Sequence, residues 1–112
     1  REFRRLNVLA DVVYNKRLSS GKGRLSLTKN ISKSGICLIA YEELKELDLL
    51  DLKIHLPESK APISAVGRVV WVRDFIIGDV AYGKRFDIGI EFIEINKEDL
   101  NQIDKYLFQM KP

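Results

Sequence analysis

The sequence predicts an all-β domain with one C-terminal α-helix, and three observations support this fold class. Apolar residues alternate with polar residues in several short segments, which is the two-residue period of a half-buried strand. Gly, Pro, Ser and Asn cluster between these segments, as they do in turns between strands. Near the C-terminus the apolar spacing changes to that of a helix. The 112 residues amount to one domain, so 1–112 is predicted to be a single domain.

Six segments have strand patterns: Leu6–Tyr14, Arg24–Ile31, Ile36–Ala40, Asp51–Leu56, Ile63–Asp74 and Arg85–Ile93. Short turns are predicted at Asn15–Lys22, Ser32–Gly35 and Pro57–Pro62, and strands joined in this way pair most simply as antiparallel neighbours. The acidic stretch Tyr41–Leu50 fits either a short helical turn or a loop, and Phe75–Lys84 fits a long hairpin tip. Residues 6–93 are therefore predicted to form a small barrel or a sandwich.

The final segment, 96–110, has the signals of a helix. Asn96 is a favourable N-cap, and Asp99 has the spacing to bond back to its backbone in a capping box. Apolar residues then recur on one helical face, at Leu100, Ile103, Leu107 and Met110. We expect this face to cover one mouth of a barrel, and the alternative is a partner-binding helix.

Composition excludes several classes of protein. One cysteine, Cys37, rules out an internal disulfide, and one histidine, His55, rules out a multi-histidine metal centre. No apolar run approaches the ~20 residues of a membrane span, and no signal peptide is visible. The lone thiol favours the cytoplasm. The first residue is Arg1 rather than Met, as expected for a fragment of a longer protein.

Catalytic motifs are not found either. The sequence has no G-x-S-x-G nucleophile elbow, and Gly21-Lys22-Gly23 does not have the spacing of a phosphate-binding P-loop. His55 lies between Ile54 and Leu56, so it is predicted on the surface of its strand. Cys37 is predicted as a small buried hydrophobe, and Trp71 as a core residue. We predict no enzyme activity, no metal and no cofactor.

The charges are unevenly distributed along the chain. Residues 1–35 carry nine Lys/Arg and two acids, whereas residues 36–112 carry ten Lys/Arg and fourteen acids. A basic first third indicates either a region that contacts an anion or a solvated basic face.

Two local features suggest a ligand. Arg1-Glu-Phe-Arg-Arg5 places two guanidinium groups on one side of an extended segment. Such groups pair with phosphate and with the guanine edge, and they stack on bases. Asn30-Ile-Ser32-Lys-Ser-Gly35 places short donors and acceptors at a strand end, and Gly35 permits a positive φ and a close ligand approach. Taken alone, the second segment is a common type of turn.

Together these two segments resemble the PilZ family, whose signature is R-x-x-x-R followed, across one hairpin, by D/N-x-S-x-x-G. Asn7-Val-Leu-Ala-Asp-Val-Val resembles the first strand of that family. Gly67-Arg-Val-Val-Trp-Val-Arg73 and Gly89-Ile-Glu-Phe92 resemble its later strands, so the resemblance covers nearly the whole chain. It implies a six-stranded antiparallel β-barrel with a C-terminal helix that binds cyclic di-GMP as a receptor.

The resemblance also implies roles for individual residues. Arg1 and Arg5 would hold phosphates and guanines, Asn30 and Ser32 would read a guanine, and Gly35 would give clearance. Arg4 and Arg73 are two further candidates for the cyclic di-GMP site.

A switch mechanism follows from this reading. Residues 1–5 are expected to be a flexible arm that the ligand orders against the turn, which moves an attached domain or presents a new surface to a partner. The implied outputs are motility, biofilm or polysaccharide control. Two alternatives remain open, namely a small barrel that binds single-stranded RNA or DNA and a protein-interaction domain without ligand.

Overall fold

The computed structural model of the chain describes residues 6–7, 10–17, 23–57, 59, 61–76 and 84–109. These residues form seven strands and one helix. In chain order they are β1 (Leu6–Asn7), β2 (Asp11–Lys16), β3 (Arg24–Ile31), β4 (Gly35–Ala40), β5 (Leu49–His55), β6 (Ile63–Ile76), β7 (Lys84–Ile95) and α1 (Lys97–Gln109).

The six longer strands close into a ring. Their order is β3-β2-β5-β6-β7-β4, and β4 pairs back with β3, while the two-residue β1 adds to the edge of β3. Every pairing is antiparallel. The prediction of a six-stranded antiparallel β-barrel with a C-terminal helix is therefore confirmed.

The alternating sequence pattern builds the core. Along β5, Leu50, Leu52 and Ile54 are buried and the residues between them are exposed. Successive side chains of a strand point to opposite faces, so one face of every strand can line the barrel interior. The resulting cluster includes Val12, Ile31, Ile36, Leu38, Val69, Ile88 and Ile90, all 2% exposed or less.

The first predicted strand, Leu6–Tyr14, is two strands in the structure. β1 pairs with the end of β3 at Ile31 and Asn30, whereas β2 pairs with the start of β3 between Leu27 and Arg24. Between them the Thr28 hydroxyl accepts a hydrogen bond from the Ala10 N–H at 3.1 Å. A side chain thus replaces a backbone partner where the ladder is interrupted.

Two loops also differ from, or refine, the predictions. The acidic stretch between β4 and β5 is a loop containing a tight turn, in which the Asp48 N–H donates to the Lys45 carbonyl at 3.0 Å. The hairpin between β6 and β7 is formed by longer strands than predicted, and its residues 77–83 lie outside the described residues.

The helix begins where predicted but is held differently. The Asn96 Oδ1 accepts a hydrogen bond from the Asp99 N–H at 2.8 Å, as expected of an N-cap. The Asp99 carboxylate does not complete a capping box, because it accepts a hydrogen bond from the Ser64 N–H of β6 at 3.2 Å instead. This tertiary bond ties the helix to the barrel.

The inner face of α1 completes the core. Ile103 and Leu107 are buried as predicted, Tyr106 is buried with them, and Met110 lies outside the described residues. These side chains belong to the same apolar cluster as the barrel interior, so the helix packs on the barrel. Among the described residues, no helix is long and apolar enough to cross a membrane.

We predict that Asn96→Ala lowers the free energy of unfolding by about 1 kcal/mol, because the Asp99 N–H loses its cap acceptor. Urea denaturation measures this change. Asn101→Ala is the matched control, since Asn101 is exposed within the helix and Ala favours helix there. Equal losses in the two variants would contradict the capping role.

Candidate functional site

The pairing of β1 with β3 brings the two residues that follow the arginine segment beside the second sequence motif. Leu6 lies opposite Ile31, and Asn7 lies opposite Asn30. Arg5 directly precedes Leu6 in the sequence, and Ser32 directly follows Ile31. Arg1, Arg4 and Arg5 themselves lie outside the described residues. The barrel thus holds Leu6, the residue next to the arginine segment in the sequence, beside the Asn30–Gly35 segment.

The turn is organised by the Ser32 hydroxyl, which is fully buried. Ser32 Oγ accepts a hydrogen bond from the Ser34 N–H at 3.2 Å and donates one to the Gly35 carbonyl at 3.3 Å. The Ser32 N–H donates to the same carbonyl at 2.9 Å. In this structure the hydroxyl fixes the shape of the turn, and direct reading of a guanine by Ser32 stays a prediction.

Gly35 is buried, and its backbone does not adopt the positive φ that a glycine permits. A Cβ at this position would collide with the Ile90 carbonyl and approach the Glu91 Cα to 3.0 Å. Both are backbone atoms of β7, the neighbour of β4. Glycine is therefore required because two strands approach closely here, not because the turn is left-handed.

Asn30 lies in a row of residues on the outer face of the barrel. It is opposite Cys37 of β4, which is opposite Gly89 of β7, which is opposite Trp71 of β6. Paired residues of antiparallel strands share a face, and the neighbours of Cys37 and Gly89 point into the core. Asn30 is half-buried, and Lys29 is the extra residue of a β-bulge that precedes it.

Trp71 is not a core residue, which corrects the sequence prediction. Its side chain is 40% exposed, because a register shift at Val70 keeps the residues of β6 from simple alternation. The indole lies over Gly89, where an added Cβ would collide with it. The guanidinium carbon of Arg73 lies 5.6 Å from the indole centroid. Gly89, a residue without a side chain between Ile88 and Ile90, was the sequence signal for this arrangement.

A buried carboxylate lies on the same outer face, two residues along β7 from Gly89. Asp87 is 2% exposed and lies opposite Arg73 of β6. It accepts hydrogen bonds from Lys29 Nζ at 2.8 Å and from Arg85 Nε at 3.1 Å. Burial acts to raise the pKa of Asp87, but these two hydrogen bonds outweigh burial and hold the pKa below its ordinary value. Sequence reasoning missed this centre, since Lys29 and Arg73 lie far from Asp87 in the chain.

The uneven charge distribution has a structural basis. Cations of the basic first third form ion pairs with carboxylates of the acidic remainder: Arg17 with Asp51 at 3.0 Å, Arg24 with Glu42 at 3.0 Å and Lys29 with Asp87 at 2.8 Å. Part of the basic patch is therefore neutralised within the barrel.

The two residue types considered for catalysis are placed as predicted. Cys37 is buried on β4, and His55 is exposed on β5. Within the part of the chain that the structure describes, no group of three or more His, Cys, Asp or Glu side chains could hold a metal ion.

Comparison with known protein families identifies the fold. The family model described as PilZ domain matches residues 1–109. This chain belongs to the PilZ domain family. A comparison with curated protein sequences found no significant match.

Solved structures share the fold of this PilZ domain. The inhibitor of motility MotI/DgrA of Bacillus subtilis has a TM-score of 0.75 at 23% identity, over 97% of this chain and 50% of that one. A K. pneumonia MrkH–c-di-GMP complex has a TM-score of 0.76 at 22% identity, over 98% of this chain and 51% of that one. The PilZ domain with c-di-GMP of YcgR from Escherichia coli has a TM-score of 0.73 at 9% identity, over 98% of this chain and 90% of that one. The chain thus spans about half the length of MotI and MrkH.

We predict that Asp87→Asn lowers the free energy of unfolding of this PilZ domain by about 2 kcal/mol at pH 7, the scale of a hydrogen bond to a charged group. Because the pKa of Asp87 is lower in the folded protein than in the unfolded chain, the ionised carboxylate stabilises the fold. This stabilisation is complete above the unfolded pKa of about 4 and is lost as the pH falls through the pKa of the folded protein. The difference in free energy of unfolding between wild type and Asp87→Asn should therefore become smaller below about pH 4. Urea denaturation at several pH values measures this difference.

The matched control for this measurement is Asp51→Asn. Its carboxylate also pairs with an arginine, but the side chain is 52% exposed, so we expect a loss of at most about 1 kcal/mol. If the stability difference between wild type and Asp87→Asn stayed constant down to pH 2, the stabilising role of the ionised Asp87 carboxylate would be contradicted.

Proposed function

We propose that this PilZ domain is a receptor for cyclic di-GMP and has no catalytic role. The observation that carries the proposal is the pairing of Leu6 with Ile31 and of Asn7 with Asn30. It holds Leu6, the residue that follows the R-x-x-x-R segment in the sequence, beside the start of the N-x-S-x-x-G segment, although 24 residues separate Arg5 from Asn30. MrkH and the PilZ domain of YcgR, which share the fold, have structures with c-di-GMP.

In this proposal the arginines supply most of the binding energy. Cyclic di-GMP carries two phosphates and two guanines, and a guanidinium group can pair with a phosphate, pair with the guanine O6/N7 edge or stack on the base. We assign these roles to Arg1 and Arg5, with Arg4 as a further phosphate contact.

The barrel supplies the second half of the site. Asn30 is half-buried at the end of β3, and we assign its amide to a guanine edge, with which an amide can both donate and accept hydrogen bonds. Ser32 acts by fixing the turn, and Gly35 acts by letting β4 lie close to β7. Arg73 lies on the outer face that carries Asn30 and is assigned to the ligand's second base or phosphate.

The charge around the turn suits a dianion. Lys29, Arg73 and Arg85 lie on this face, and Asp87 neutralises one of them. Glu91, which lies opposite Gly35, is paired with Arg68, so the balance stays positive. Asp87 also holds the side chain of Lys29, the residue before Asn30, in one position. The Lys29 side chain therefore does not have to be ordered when the ligand binds.

The signalling output follows from a ligand that bridges residues 1–5 and the Asn30–Gly35 turn. A ligand that contacts both residues 1–5 and the turn holds them together, and its preference for that arrangement is the only energy available for signalling. We propose that the ordering of residues 1–5 by the ligand alters the surface offered to an attached domain or to a cytoplasmic protein partner. That domain or partner would control motility, biofilm or polysaccharide production.

Isothermal titration calorimetry with cyclic di-GMP tests the site. We expect Arg5→Ala to weaken binding at least about tenfold, because it removes charge-assisted hydrogen bonds. Arg5→Lys should also weaken binding, since an ammonium group has no fork. Ser32→Ala should weaken it through loss of the turn bonds.

Arg17→Ala is the matched control, because Arg17 is an exposed arginine paired with Asp51 on the far side of the barrel. It should bind like the wild type. A single-stranded RNA oligonucleotide serves as competitor ligand in the same assay. Salt-steep RNA binding without cyclic di-GMP binding, or equal cyclic di-GMP affinity in all variants, would refute the proposal.

A further inference from the structure

Strand β3 points its leucines outward and its hydroxyl side chains inward. Leu25 and Leu27 are 74% and 40% exposed, whereas Thr28 is fully buried and Ser26 lies opposite the core residue Val12. The Ser26 hydroxyl oxygen is buried and has no hydrogen-bond partner among the described residues. A shift of one residue exchanges the two faces of a strand, so hydrophobic burial alone would favour the opposite arrangement. Apolar side chains on the outside of β3 therefore need a separate explanation.

The two leucines are part of a larger apolar patch on the outside of the barrel. Leu27 lies opposite Ile39 of β4, and Leu25 lies opposite Val13 of β2. Tyr41, two residues after Ile39, is 71% exposed. A groove of about 360 Å³ in this patch is lined by Asp11, Leu25, Ser26, Leu27, Ile39 and Tyr41. Contiguous apolar patches on soluble proteins mark sites of interaction.

The patch is high at one end and low at the other. Leu25 and Tyr41 protrude at one end, whereas Leu27 is less exposed and Ile39 is half-buried at the other. A twofold axis that runs across the strands reverses their direction, so it places the high end of one copy on the low end of a second copy. Leu25 then meets Leu27 of the second copy, and Tyr41 meets its Ile39. Reciprocal contacts of this kind are what a symmetric dimer requires.

Charges beside the patch are complementary under the same symmetry. Asp11 is exposed on β2, opposite Leu27. Lys53 is exposed on β5, opposite Val13, and Val13 is level with Leu25. Since the axis brings the level of Leu27 onto the level of Leu25, Asp11 of each copy comes near Lys53 of the other. Opposite charges at the rim of an interface fix its register and its choice of partner.

We propose that the outer face of β2, β3 and β4 binds a second copy of this chain and forms a twofold-symmetric dimer. Leu25 and Tyr41 are the apolar anchors, and the pairs between Asp11 and Lys53 set the orientation. The patch is small, so the dimer is expected to associate in the micromolar range. This inference does not depend on cyclic di-GMP binding.

Sedimentation equilibrium of the purified domain tests the proposal. Between about 1 µM and about 500 µM, where a small interface associates, the average mass should rise from that of one chain toward that of two. Leu25→Ser should raise the dimer dissociation constant at least about tenfold, because it removes a central anchor. Tyr41→Ala removes the second anchor, just outside β4, and should act in the same direction.

Leu47→Ser is the matched control. Leu47 is 72% exposed, but its N–H donates to the Val69 carbonyl of β6, the strand opposite β3 in the ring. This variant should dimerise like the wild type. Thermal unfolding followed by circular dichroism should give all three variants the melting temperature of the wild-type monomer, since exposed side chains contribute little to the core.

Charge reversal tests the symmetry of the dimer. Asp11→Lys and Lys53→Asp should each weaken dimerisation severalfold, and the double variant should recover most of the loss, because the exchanged charges attract again. A double variant that dimerises no better than the single variants would overturn the twofold arrangement.

Two further results would overturn the dimer itself. One is a wild-type domain that stays monomeric over the whole concentration range, which would leave the patch to a different protein. The other is equal dimerisation of folded Leu25→Ser, Tyr41→Ala and Leu47→Ser, which would place the interface elsewhere on the barrel.

Discussion

The antiparallel pairing between β3 and β4 is the interaction on which the rest of the structure depends. It joins the two ends of the strand order and turns an open sheet into a closed barrel. Closure removes unpaired sheet edges and encloses one apolar core, which α1 then completes. The connection between these two strands is the Ser32–Gly35 turn, so the candidate site lies at the point where the barrel closes.

This position explains why the turn is so tightly held. Ser32 is buried and bonded within the turn, the Phe92 N–H donates to the Ser34 carbonyl at 2.9 Å, and Gly35 lets β7 approach. Most of these contacts serve the barrel as well as a ligand. A rigid turn presents its polar groups without paying to order them at binding, which is how a small domain can hold a ligand on its surface.

The outer face around this turn combines charge with exposed aromatic surface. Asp87 keeps Lys29 and Arg85 in fixed positions, and Gly89 keeps Trp71 against β7. Both arrangements come from residues on neighbouring strands rather than from residues close in sequence. Several cations of the basic first third are paired with carboxylates from the rest of the chain. This region is thus less cationic than its composition indicates, and its remaining positive charge is localised.

The sequence by itself determined the class of fold, most strand positions, the Asn96 cap and the two signature segments, because these depend on local periodicity and short-range bonding. Tertiary structure alone decided the split between β1 and β2, the hydrogen bond from the Ser64 N–H to Asp99, the burial of Asp87 and the exposure of Trp71. The reason is register. A strand's partners come from distant parts of the chain, and one extra residue at a bulge changes which face a side chain occupies.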